Sequence, residues 1–424
     1  MNKIIKIFFT LLFLISVEKE KVVAQNSERE KLSLSAMIDS IIKLNPAIIM
    51  YDAKVKSIDA QTEGAKSWMP PTFSFALDRF PYQSSMLKEQ TPDNQAGLMF
   101  TLQQMIPNSS KLNAKKNYLQ SLSNVQQNNS DWQKNVLLSA AKIYYHQRYV
   151  AERKMKIIND DLEILNLIIN TAEGKYAYNQ SDLSTIFKAK GKREELMNMR
   201  TMLQSEIAES NIAINTLMNR DVNTAFEIDT IIVIKDYSQT ILIAIDSSLL
   251  KRDDILSVQN SINSMQLNKN LMSLGKKPDF GVSVSHSQMF GMANQYSIMG
   301  MMTIPIAPWS SKMYKSEVKS MGFEIEAMQK EKENMQLMAT KMIAEKSTML
   351  NFEIQQYKNY DQNIVPAYQK NFETSLLSYK QNTGNFFILL DAWDMLLMKQ
   401  IEQLDKLNEA LKLQAEYEYE IEKR

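Results

Sequence analysis

The side chains best equipped for chemistry in this 424-residue chain are its 28 methionines. Met321, Met328, Met335, Met342 and Met349 recur every seventh residue, and Met289, Met292, Met299, Met301 and Met302 crowd one short stretch. A thioether is a soft ligand that favours Cu(I) over hard cations, so a row of them along a passage would hand such ions on. The heptad row equally fits a flexible filler at one position of a helical seam. Its neighbours Glu324, Glu331, Met338, Glu345 and Phe352 are mixed, as on a seam half open to water. The other parts of a reactive site are missing. The chain has no cysteine, hence no disulfide, thiolate metal site or lipid-bearing N-terminal thiol. Its two histidines, His146 and His286, fall in different elements. No phosphate-cradling glycine loop and no nucleophile–base pairing is legible, and Glu194-Glu195 and Asp253-Asp254 read as solvated faces. No catalytic, cofactor-binding or metal-ligating set is assigned, and no enzyme is expected.

Charge excludes another class. The 49 basic and 48 acidic residues are well mixed and leave a net charge of +1, whereas a nucleic-acid footprint needs a concentrated basic face. Residues 1–24 read as a secretory signal. Lys3 and Lys6 precede an apolar core from Ile7 to Val17, and Val22-Val23-Ala24 supplies small residues for cleavage after an unusual charged stretch, Glu18-Lys19-Glu20-Lys21. That core is too short to span a bilayer as a helix. No later apolar run is long enough either, so any membrane contact must come from strands.

The elements that would position these residues are long helices. From Ser109 to Glu173 there is neither glycine nor proline, and apolar residues keep a seven-residue repeat. One seam runs Leu137, Tyr144, Ala151, Ile158, Leu165, Ala172. The other runs Ala141, Arg148, Met155, Leu162, Ile169, Tyr176, broken only by Arg148. A repeat sustained this long predicts a supercoiled helix about 100 Å in length. After Asn179-Gln180-Ser181 the pattern returns to about Asn219, making a helical hairpin over 109–219. A second hairpin is expected over 309–424. Ahead of each lies a shorter helix and two alternating runs, at about 72–78 and 97–105 in the first half and about 279–290 and 298–306 in the second. Ile38-Asp39-Ser40 is echoed by Ile245-Asp246-Ser247, and Pro107 with Ser109-Ser110-Lys111 by Pro308 with Ser310-Ser311-Lys312. The chain therefore divides into repeats at 25–220 and 240–424, joined by 221–239. Each returning helix is too short to cover its outgoing partner. Stacked end to end with the short helix from Pro46 or from Asp253, it nearly suffices, which predicts a cylinder of helices with strand pairs at one end.

Phe73, Phe75 and Leu77 share one face of their run, and so do Phe100 and Leu102, and Phe280, Val282 and Val284. Ser, Thr, Ala and Gln occupy the other faces. An ordinary soluble hairpin would alternate in the same way. Export, together with Trp68 and Trp309 where the rods end, favours a transmembrane β-barrel wall. Four strands cannot close a barrel, and lipid tolerates no open sheet edge, so several copies must contribute; three would supply twelve strands.

Over nearly its whole mature length the chain resembles the TolC family of outer-membrane factors. The resemblance rests on Leu34-Ser-Ala-Met-Ile-Asp-Ser before Asn45-Pro46, the strand pair ending in Pro107, and Ala140-Ala-Lys-Ile-Tyr-Tyr. It continues in Tyr176 to Leu183, Pro366-Ala367 and Tyr379 to Ala392. It implies a mainly α chain with a small β portion, three copies of which build an α-barrel continued by a β-barrel. The implied setting is the outer membrane of a Gram-negative bacterium. The implied partners are outer-membrane lipid, a periplasmic adaptor protein and an inner-membrane pump such as a resistance-nodulation-division transporter. By position, Asp391 would be the carboxylate of the periplasmic gate. Tyr176, Asn179, Ser181, Asp182, Leu183, Tyr379, Asn382 and Gly384 would form the tip that packs and meets the adaptor. Asn179 and Asn382 stand where the family has turn glycines; both can adopt left-handed geometry. Ile388 stands where some members carry a second gating Asp. The expected function is passive efflux of small substrates, with heavy-metal cations the nearest flavour. A type I protein-secretion channel and an exported coiled-coil scaffold without a pore are the alternatives.

Overall fold

The computed structural model describes residues 31–89, 91, 94–178, 182–229, 232–235, 237 and 252–423. The expected signal at 1–24, residues Asn179, Gln180 and Ser181, the sequence echo Ile245-Asp246-Ser247 and much of the expected linker lie outside them. In order, the elements are β1 (Lys31–Leu32), α1 (Leu34–Leu44), α2 (Pro46–Glu63), β2 (Thr72–Asp78), β3 (Gly97–Ile106), α3 (Ser109–Tyr176), α4 (Leu183–Leu217) and β4 (Glu227–Ile228). They continue with α5 (Asp253–Ser273), β5 (Phe280–Met289), β6 (Gln295–Met302), α6 (Pro308–Asn359), α7 (Val365–Lys380) and α8 (Phe386–Glu420).

Local chemistry explains the boundaries. Asn108, Asp182 and Asn385 each turn a side-chain oxygen onto a backbone N–H two residues on, at 3.0, 3.1 and 2.8 Å, and so cap α3, α4 and α8. Proline opens α2 and α6, where its missing N–H costs nothing. Within the second long rod, Pro366 lies just after a π turn at Tyr360–Ile364. A proline removes one helical hydrogen bond and crowds the carbonyl four residues back, and a locally widened turn relieves both.

The helix α3, 68 residues long, is the spine, with α2, α4, α5 and α8 against it. The apolar stripe drifts as a heptad pattern on a 3.6-residue helix must. Ala151, Ile158, Leu165 and Ala172 are buried in the predicted seam, but toward the sheet the buried positions become Leu138 and Tyr145, and Tyr144 is exposed. The end-to-end stacking of α4 on α2 has a specific joint. Asn45 accepts from Ala47 N–H to cap α2 and donates at 2.9 Å to the Leu217 carbonyl at the end of α4. In the second half Arg252, preceding α5, donates to the Glu420 carbonyl at 3.0 Å and to its carboxylate at 2.6 Å, where α8 ends.

Four strands form one antiparallel sheet in the order β2-β3-β5-β6, so β2 and β6 are its edges. The last strand differs from the expectation of 298–306. It begins at Gln295 and ends at Met302, although Thr303 N–H still bonds the Asp279 carbonyl at 2.9 Å. A two-strand parallel ladder, β1 with β4, was not anticipated; it pairs Leu32 with Ile228.

Candidate functional site

Two regions carry the candidate function: the sheet at one end of the helices and the helical turns at the other. The sheet register places Phe73, Phe75, Leu77, Leu98, Phe100, Leu102, Phe280, Val282, Val284 and Ile298 on one face, and Ser74, Thr101, Gln103, Gly281, Ser283, Ser285 and Ser297 on the other. Burial is inverted relative to a water-soluble sheet. Along β5, Val282 and Val284 are 41 and 46% exposed, while Ser283 between them is 7% exposed. Phe73, Phe75, Leu77, Leu102 and Phe280 are exposed as well; Phe100 is half-buried, under the rings of Phe73 and Phe75. The sheet thus curls around its small polar side chains and turns its phenylalanines and valines outward. Water disfavours so large an apolar surface, interrupted here by Gln104, His286 and Gln288; a barrel wall in lipid requires it. Trp68 and Trp309 are exposed at the helical end of the sheet, and Tyr296, Tyr82 and Phe80 at the other, the placement of two interfacial girdles. Ten-residue strands such as β3 and β5 extend about 33 Å, enough at barrel tilt for a lipid-facing band of about 25 Å. Among the described residues no single helix is long and apolar enough to cross a membrane.

At the other end, Tyr379 is buried, its ring 5.6 Å from that of Phe386. Lys175 lies 4.1 Å over the Tyr379 ring and donates to the Tyr379 carbonyl at 3.1 Å and to Asn382 Oδ1 at 2.6 Å. Asn382 has φ 59°, the left-handed conformation expected of a glycine substitute. Gly384 is needed for a close approach, because a Cβ there would sit 3.0 Å from that of Ser378. Asp182 is the α4 cap and also accepts from the Ser184 hydroxyl at 2.6 Å. Tyr176 and Leu183 are exposed, and Asn179 and Ser181 lie outside the described residues. Asp391 is exposed on the free face of α8, in a stripe with Ile388, Met395 and Met398. The other face of that helix (Leu389, Leu390, Ala392, Trp393) is buried against α3, α4 and α7.

Two buried polar features escaped sequence reasoning. Trp393 Nε1 donates to Asp161 Oδ1 at 2.7 Å, tying the segment behind Asp391 to the spine. Burial pushes the Asp161 carboxyl up to about 6, against the opposing effect of the Trp393 bond. Its sequence signal was legible: Asp161 falls three residues after Ile158 and four before Leu165, on the face that must be buried. The second feature is Arg148, the break in the seam. It is buried, its guanidinium lies 4.1 Å from the Phe226 ring, and it donates to the Phe226 carbonyl at 2.6 Å and to Glu152 at 3.0 Å. Arg148 thereby anchors the segment that leaves the first repeat. The helical methionines divide: Met321, Met328 and Met335 are half-buried and Met342 and Met349 exposed.

No family model matches the sequence, and no curated protein does. Solved structures do match. The outer-membrane channel OprN is 13% identical, covering 92% of this chain and 89% of its own, at a TM-score of 0.75. The outer membrane protein VceC of Vibrio cholerae is 15% identical over 92 and 95%, at 0.74. CusC, studied for its folding and transmembrane channel formation, is 13% identical over 94 and 95%, at 0.76. At these identities the likeness is one of fold, and it is the fold of the TolC-type channels that the sequence resembles: mainly helical, with a four-stranded β portion from each chain.

Proposed function

We propose that this chain is the protomer of a passive, trimeric outer-membrane channel of a tripartite efflux system, not an enzyme. The observation that carries the reading is the inverted burial of β5, apolar side chains outward and serines inward, in a sheet with two unpaired edges. Lipid accepts the outward face but not the edges, so β6 of one copy pairs with β2 of the next, and three copies close twelve strands around water. The mature chain follows the signal at 1–24, and its repeats at 25–220 and 240–424, joined by 221–239, supply alternate staves of both barrels. The helices continue the duct through the periplasm to a tip built on Tyr176, Asn179, Ser181, Asp182, Leu183, Tyr379, Asn382 and Gly384. That tip docks a periplasmic adaptor and, through it, an inner-membrane pump, where energy enters. Three copies of Asp391, with Ile388 one turn earlier, ring the narrowest point. The cargo is small, heavy-metal cations included.

The absence of cysteine makes the closure directly testable. Ser74, Thr101, Ser285 and Ser297 lie on one rung of the sheet, the first and last on its two edges. With Ser74→Cys and Ser297→Cys in one chain, a bis-maleimide applied to isolated outer membranes is expected to yield a denaturation-resistant ladder that stops at three chains. A soluble, monomeric product with no ladder would end the channel reading.

A further inference from the structure

Five methionines share the small, polar face of the sheet: Met99 and Met105 on β3, Met289 on β5, Met299 and Met301 on β6. The interior of a water-filled barrel is polar, so thioethers there serve no packing need of the wall. They are also grouped. Met105 and Met301 are the register partners of Gly281 from its two sides. A Cβ at residue 281 would stand 2.7 Å from Met105 Sδ and 3.2 Å from Met301 Cε, so the missing side chain leaves the space that the ends of both side chains, a sulfur and a methyl, occupy from its two sides. Met299, two residues back on β6, faces the same way and pairs with Ser283. The Gln103 amide, on that face too, points at Met105 Sδ from 3.9 Å. Further along, Met99 pairs with Ser287 and Met289 with Gly97, which makes them diagonal neighbours about 20 Å from the first group.

We propose that Met105, Met299 and Met301 form a thioether site for a soft monovalent cation, Cu(I) or Ag(I), on the inner wall of the barrel, with Met99 and Met289 a second station. The channel reading is needed only to place this face inside the barrel. Three neutral sulfur donors suit a soft monovalent ion and offer little to Na⁺, Mg²⁺ or Zn²⁺. Among the described residues no cluster of His, Asp or Glu could hold a metal in competition. The heptad row on α6 is not equivalent: its members repeat about 10 Å apart along one helix, too far for two to share an ion.

The test uses the full-length protein in detergent, labelled with methyl-¹³C methionine and titrated with silver nitrate in chloride-free buffer. The expected result is that the methyl signals of Met105, Met299 and Met301 shift first, and that zinc nitrate leaves them in place. A Met105→Leu, Met299→Leu, Met301→Leu variant, similar in volume, is expected to bind Ag(I) at least about tenfold more weakly, with unchanged conductance in potassium nitrate across planar bilayers. Met105→Leu alone should show a smaller loss of the same kind, and Met328→Leu, Met335→Leu, Met342→Leu should show none. The site is overturned if the first variant binds as tightly as the parent, or if the helical control loses as much. Current with undisturbed methyl signals removes the site and keeps the channel; silver bound at these three residues without any current does the reverse.

Discussion

The indole Nε1 of Trp393 and Oδ1 of Asp161 stand 2.7 Å apart in the buried core shared by α3 and α8. Because burial raises this carboxyl from its ordinary 3.8 to about 6, the folded state holds the proton more tightly than the unfolded chain does. The stability contributed by the protonated form is complete below about pH 4 and is lost as pH rises through about 6, amounting to about 3 kcal/mol at 1.36 kcal/mol per pKa unit. Asp161→Asn keeps an acceptor for the indole and cannot titrate. Between pH 4 and 7 its apparent melting temperature is expected to decline less than the parent's. The difference isolates Asp161 from His146 (held down to about 4 by burial) and Glu422 (pushed up to about 7 by burial), which titrate in the same window in both proteins. Equal slopes in the two proteins would reject this account.

Glu418 should behave in the opposite sense. Burial raises its pKa, but hydrogen bonds from Lys142 (2.7 Å) and Tyr237 (2.7 Å), the Lys142 charge and a bond from Lys235 (3.0 Å) outweigh that and hold it near 2. Its stabilisation is therefore present above the ordinary 4.5 and is lost as pH falls toward 2. Glu418→Gln leaves the Lys142 charge buried without its carboxylate and is expected to cost about 3–5 kcal/mol. Faster amide exchange at residues 232–235 and in the last turns of α8 would report it; unaltered exchange would contradict it.

Asp391 is separable from the fold because its own side chain is exposed while its neighbours Leu390 and Ala392 are buried. Asp391→Ala is expected to leave melting unchanged within about 0.5 kcal/mol and to raise single-channel conductance by removing a ring of charge from the tip. Conductance equal to the parent's would dismiss it as a gate.

The outward face of the sheet makes a sharper demand. Phe75→Arg or Val282→Arg should each cost about 2–4 kcal/mol if these side chains meet lipid near the midplane, seen as loss of outer-membrane insertion. Ser283→Arg, on the opposite face, should also fail, through crowding of a covered position. Ser297→Arg, on that same inner face but on a rung of small side chains that opens to the water-filled lumen, should still insert. Normal insertion of both outward variants would show the faces to be reversed.

Much of this architecture was legible in the residues, and the reasons differ by element. The glycine- and proline-free heptads foretold α3, because a helical period is set within one or two turns. The left-handed Asn382 was readable for the same reason. The alternation of β5 showed that its faces differ but not which would be covered, since period-two patterning is the same for a soluble hairpin and a barrel wall. Arg148 looked like a flaw in a seam until Phe226, far along the chain, supplied its carbonyl and ring.

By itself the sequence determined the local periods, and with them rods too long for a compact domain and strands too few to close. The tertiary structure decided which surfaces meet. It set the joint of Asn45 with Leu217, the tie between Asp161 and Trp393, the approach of Met105 and Met301 to Gly281 from its two sides, and the outward turn of the phenylalanines. The physical reason is range. Helix caps and apolar periods are energies between residues a few positions apart, written in neighbouring letters. A contact between residues 232 positions apart exists only once rods of a particular length have laid their ends side by side.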